Sequence, residues 1–161
     1  MKKLNKNNKG FSLVELLVVI AIMVVLVGVI APTLLNNIEK SREARDVQSL
    51  DAIAAAIQSS FAIEEAYDMA TSTTYDSKVV AVGDLYTNSD ALAEAVQETL
   101  KTEPAMTGKI AKDTTKYDTY FYIKDGSITV FVGAKTPVPT DTSSAIGKTQ
   151  GTKGTTYSVT R

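Results

Sequence analysis

Apolar and polar positions take three different spacings along the chain, and each marks a different kind of element. Leu16 to Leu35 contains no charged residue, and Phe11 to Leu35 contains only Glu15. Apolar side chains there face every side of a helix, as expected in lipid or a buried bundle. About 20 apolar residues span a bilayer's hydrocarbon core, so the run is long enough to cross one. Its many Val and Ile residues are weak helix formers in water. In lipid the helix is still required, because the backbone has only itself to hydrogen-bond.

Beyond the mixed-charge stretch Glu39 to Asp46 the spacing becomes three and four. Val47, Leu50, Ala54, Ile57 and Phe61 recur, Ile53 widens the stripe, and Gln48, Ser49, Asp51, Gln58 and Ser59 fall elsewhere. This predicts an amphipathic helix with one buried face; the charged run before it reads as a solvated face. No Gly or Pro interrupts Thr33 to Tyr67. Both halves are therefore expected to form a single helix of about 57 residues, roughly 85 Å long.

The third spacing is alternation. Tyr117 to Ile123 and Ile128 to Val132 flank Lys124-Asp125-Gly126-Ser127, a β-hairpin with an Asp-Gly turn. Tyr117, Thr119, Phe121 and Ile123 share one face; Tyr120 and Tyr122 lie on the other, to be covered by the helix or a neighbour. Between the long helix and the hairpin, Asp68 to Asp90 reads as loop with one short strand at Val79 to Val82. A second helix is expected at Asp90 to Lys101, capped by Ser89 and ended by Pro104. Ala134 to Thr156 reads as mostly irregular, and Thr155 to Thr160 as a last edge strand.

Charge orients these elements. Lys2, Lys3, Lys6 and Lys9 precede the apolar run, which holds that end in the cytoplasm and places the rest across the membrane. An ordinary secretory signal would end in a small-x-small cleavage site. The candidate Val29-Ile30-Ala31 is followed at once by Pro32, after too long an apolar segment. The chain has 17 basic and 18 acidic residues, four of the basic ones in the leader. That acidic body speaks against non-specific nucleic-acid binding.

Cysteine and histidine are absent. Disulfides, thiolate chemistry, Cys/His zinc sites and histidine triads are thereby excluded. Asp113, Asp118, Asp125 and Asp141 are available carboxylates, but no pattern pairs them for catalysis. The sequence reads as no enzyme, with no cofactor and no metal site.

Two features of the apolar run call for explanation. Gly28 and Pro32 weaken the helix, predicting a kink or a locally unwound segment between about Val24 and Pro32. Glu15 is costly in a membrane unless it lies at the interface or meets a cation. Cleavage between Gly10 and Phe11 would create one, the new amino terminus of a neighbouring chain.

Lys9-Gly10, Phe11, Glu15 and Pro32, in this register behind a lysine-rich leader, resemble the class III leader and N-terminal helix of type IV pilins. The resemblance covers roughly the first 35 to 60 residues. It implies cleavage after Gly10 and N-methylation of Phe11 by a membrane-embedded prepilin peptidase, for which this chain is substrate. It also implies extraction from the cytoplasmic membrane by an assembly ATPase and a platform protein. Identical or homologous subunits would then form an extracellular filament, with Glu15 paired to the Phe11 amine of its neighbour. The implied fold is α+β, a long N-terminal helix packed on a small antiparallel sheet of three or four strands.

On this reading residues 1–10 are leader, 11–38 the transmembrane and assembly half of the helix, 39–67 its amphipathic half, and 68–161 the globular head. A pseudopilin of a type II secretion or competence DNA-uptake system shares the leader and helix and is the alternative. The clustered oxygen ligands of a calcium site are not evident near the isolated Asp141. A plain single-pass anchored binding protein would leave Gly10, Phe11 and Glu15 unexplained.

Overall fold

The computed structural model describes residues 10–109, 111–145 and 157–161. Helix α1 runs Leu13–Ser60, 48 residues without a break, so both the apolar run and the amphipathic stripe lie on one helix. The backbone stays helical through Gly28 and Pro32, and no unwound segment separates Val24 from Pro32. The chain forms two compact units that part between Ile38 and Glu39.

The helix ends seven residues earlier than the expected Tyr67. Neither Gly nor Pro stops it. The Ser59 hydroxyl donates to Ala56 O at 2.8 Å and the Ser60 hydroxyl to Ile57 O at 2.6 Å. The amides of Phe61, Ala62 and Ile63 then reach back only three residues, to Gln58, Ser59 and Ser60. This tightened last turn, with hydroxyls competing for its carbonyls, ends the helix. The chain restarts as α2, Glu64–Ala70, and Tyr67 packs edge-on against Phe61 with ring centroids 5.6 Å apart.

The head carries a four-stranded antiparallel sheet in the order β1-β2-β3-β4, with β1 Val79–Ala81, β2 Tyr117–Lys124, β3 Ser127–Ala134 and β4 Ser158–Thr160. The hairpin closes where expected. Asp125 and Gly126 both take positive φ, 50° and 77°, as a two-residue turn between twisted strands requires. Phe121 pairs with Val130 and Ile123 with Ile128. These four bury against Leu50, Ile53, Ala54 and Ile57 of α1 in one core. The fold is thus α+β, a long N-terminal helix on a small antiparallel sheet.

Helix α3 spans Ala91–Thr99. Asp90, not Ser89, caps it: its Oδ1 accepts from Ala93 N at 2.9 Å while Oδ2 accepts the Tyr75 hydroxyl at 2.6 Å. The helix ends before Pro104, at Leu100, whose backbone is already extended. On the sheet's second face Tyr120 is buried with Phe131 and Ala145. The chain's own segment beyond β3 supplies that cover, where the long helix or a neighbour was expected. Ala145 follows a 3-10 turn, Thr142–Ser144, begun by Asp141. The leader lysines and residues 146–156 of the expected irregular stretch lie outside the described residues.

Candidate processing and assembly site

Gly10 and Phe11 precede the first helical turn, and Phe11 is 93% exposed. A peptidase needs an extended, accessible bond, and neither residue is tied into the helix. Ser12 is the N-cap, two positions later than a helix beginning at Phe11 would have it. The Ser12 hydroxyl accepts from Val14 N at 3.3 Å, and Ser12 O accepts the helical bond from Leu16 N at 3.2 Å. Glu15 closes the arrangement: its Oε2 accepts from Ser12 N at 2.8 Å.

Ser12-Leu13-Val14-Glu15 is therefore a capping box, in which serine and glutamate each satisfy an amide that the helix cannot. The S-x-x-E spacing of residues 12–15 is the sequence signature of this box. Only one oxygen of Glu15 is used. Among the described residues its Oε1 has no partner. A carboxylate has about four acceptor sites, so capacity for a cationic donor remains while the cap is kept.

The apolar surface behind this cap is large and uncovered. Leu13 to Leu35 presents exposed Val, Ile, Leu and Met side chains throughout. The most apolar 18-residue window of α1 has a mean hydropathy of 3.2, and none of it is buried within the chain. A core helix of a water-soluble domain would be covered; this one has to find its apolar surroundings outside its own chain. Gly28 meets no heavy atom within 4 Å of where a Cβ would stand, so its surface is free for close approach by another helix.

Residues 5–31 match the prokaryotic N-terminal methylation motif. It is the class III leader signal of type IV pilins. The motif marks the chain as a precursor of the type IV pilin-like or pseudopilin kind. The methylation motif and the N-terminal apolar helix fit a membrane-anchored precursor. Such precursors meet processing machinery and other subunits of their kind. No curated protein matches the chain, and no solved structure matches it.

The match stops at Ala31, and the structure adds what lies beyond it. Asp46, within the run read as a solvated face, is wholly buried. Its Oδ1 accepts from Thr107 N at 2.7 Å and from the Thr107 hydroxyl at 2.9 Å, while Oδ2 accepts from Gly108 N at 2.7 Å. Two turns earlier on α1, Glu39 accepts from Lys109 N. Consecutive amides of the 107–109 loop are thus held by carboxylates of α1, replacing the water that a buried charge would lose. Gly108 is needed for this approach: a Cβ there would lie 2.6 Å from the Tyr157 hydroxyl and 2.7 Å from Asp46 Oδ2. Nothing in local sequence announces a contact between residues so far apart.

The remaining carboxylates have local tasks. Asp113 accepts from Thr115, Asp118 pairs with Lys135 at 3.3 Å, and Asp141 caps its 3-10 turn through Ser143. Asp125 stands in the hairpin turn. Among the described residues no group of three or more carboxylates could hold a metal ion.

Proposed function

We propose that the chain is the structural subunit of a type IV pilus. Prepilin peptidase cuts between Gly10 and Phe11 and methylates the new Phe11 amine. The mature chain waits as a single-pass protein of the cytoplasmic membrane. An assembly ATPase and its platform protein then move it into a helical filament on the cell surface. The observation that carries this reading is Glu15, a half-satisfied carboxylate at the head of an uncovered apolar helix.

The energetics favour such a transfer. Exposing the apolar side chains to water would cost about 1.5–3 kcal/mol each. Moving them from lipid into a bundle of identical helices is close to neutral, because lipid tails are equally apolar. Small specific terms can then decide assembly. Glu15 Oε1 meets the ammonium of a neighbour's Phe11 in this scheme, while Oε2 keeps the Ser12 cap. Contacts of this head-to-tail kind do not close on themselves and generate an open fibre. Gly28 and Pro32 act as the place where the helix bends or extends between bilayer and fibre.

Electron microscopy of sheared surface material with antibody to this chain tests the reading. Long labelled fibres are expected. Mature chain retained in the envelope without fibres would favour a pseudopilin of a secretion or DNA-uptake machine. Met1 to Gly10 still present on the mature protein would reject both.

A further inference from the structure

Two charged surfaces of the head have no partner among the described residues. Helices α2 and α3 pack side by side and leave a groove of about 330 Å³, lined by Ile63, Glu65, Ala91, Glu94, Ala95 and Glu98. Glu65, Glu94 and Glu98 are exposed, and Ile63 is 43% exposed at the groove's edge. None of these three carboxylates has an ion pair or a hydrogen-bond donor among the described residues.

The second surface is the outward face of α1 where it crosses the head. Lys40, Ala44, Arg45, Gln48 and Ala52 are all exposed there. Small Ala44 and Ala52 leave the backbone approachable, and Lys40 and Arg45 have no acidic partner among the described residues. The other acids of this stretch, residues 39–52, have interactions of their own: Glu39 with Arg42 and Lys109 N, Asp46 with the 107–109 loop, Asp51 with Arg161, and Glu43 is not free either.

We infer that these surfaces meet between two copies of the chain, the Lys40–Arg45 face of one α1 lying on the α2–α3 groove of the next. The argument is charge complementarity. Cations without an acidic partner among the described residues flank a low helix face, and carboxylates likewise without a donor line a groove with an apolar floor. Both are carried by every copy, so each copy can give one surface and receive the other. Different patches in contact make a heterologous, non-closing interface, and opposite charges would fix its register and disfavour wrong alignments. The inference rests on the filament reading above and names a second contact in it, separate from Glu15.

Charge reversal in the full-length chain in cells tests it. Glu94→Lys with Glu98→Lys, and Lys40→Glu with Arg45→Glu, are each expected to lower sheared fibre yield about tenfold or more. Combining all four substitutions should restore at least half of the native yield. Processed chain in the membrane is measured by immunoblot as a control for folding. Independently, the cysteine-free chain carrying Ala44→Cys and Ala91→Cys should give oxidised dimers and a ladder of higher species in sheared fibres.

Native yield from either reversal, or a four-fold variant as defective as its parents, overturns the inference. So do Ala44→Cys, Ala91→Cys fibres that give no ladder. If only the Lys40 and Arg45 reversal matters and the groove reversal does not rescue it, lipid headgroups or another protein occupy that face. Fibres without rescue or ladder contradict this contact and leave the filament reading standing. No fibres from the native chain remove both.

Discussion

Glu15 Oε2 accepts a hydrogen bond from Ser12 N at 2.8 Å, so the acid of the apolar helix is also the closing half of its N-terminal cap. Cap and charge can be separated by substitution. Ser12→Ala removes the hydroxyl that accepts from Val14 N and should cost the helix start about 1 kcal/mol. Because the Glu15 charge is retained, fibre yield should fall by less than about threefold, as read by quantitative immunoblot of sheared material.

The buried carboxylate of Asp46 holds the 107–109 loop through three donors. Asp46→Ala leaves two backbone amides without acceptors and opens a gap. It should destabilise the head by about 3 kcal/mol, measured by thermal unfolding of detergent-solubilised full-length chain. Gly108→Ala should destabilise through the same contact, since its Cβ would press on Asp46 and Tyr157.

Two buried tyrosines differ in a way that unfolding can read. The Tyr75 hydroxyl donates to Asp90, whereas the Tyr157 hydroxyl is buried without a partner among the described residues. Tyr75→Phe should therefore destabilise by about 1–2 kcal/mol, and Tyr157→Phe should be neutral or stabilising at pH 7. Burial pushes both hydroxyls up, Tyr75 to about 12, with Glu43, Asp46 and Glu39 adding to the rise at Tyr157. A phenol with a raised folded pKa ionises first in the unfolded chain. Stability should consequently fall as pH rises above about 10, and each Phe variant should show a shallower fall.

Arg161 holds Asp51 with a two-pronged contact, Nε to Oδ1 and Nη2 to Oδ2, both 2.8 Å. The hydrogen bond from Arg161 lowers the Asp51 carboxyl below its usual range. A lowered carboxylate contributes stability above its unfolded pKa and loses it as pH falls through the folded one. The melting-temperature gap between native chain and Arg161→Ala should be full at pH 5–7 and shrink as pH falls below about 3.9.

Elements dominated by local pattern were legible in the sequence. The apolar run, the Leu50-Ile53-Ala54-Ile57 stripe and the Asp125-Gly126 hairpin all reappear, because spacing and turn chemistry decide them within a few residues. What escaped depends on partners distant in sequence or on quieter signals. Ser59 and Ser60 stop α1 by back-bonding to its carbonyls, where Gly or Pro would have been the visible mark. Asp46 looked solvated because the loop that buries it lies about sixty residues away. The cover over Tyr120 likewise comes from beyond β3. At the helix start, the leader-type motif over residues 5–31 was legible in the sequence, whereas the use of one Glu15 oxygen in a cap depends on how the first turn folds.

Glu15→Gln is the most direct test of the central claim. Glutamine keeps an oxygen that can accept from Ser12 N, so the cap survives, but it offers no charge to a neighbouring amine. Fibre yield in sheared surface material is to be measured beside the processed chain in the membrane. The account predicts cleavage after Gly10, normal membrane levels and a fibre yield lowered at least about tenfold, the loss expected of a desolvated charge pair. Fibres at native yield from Glu15→Gln would contradict it.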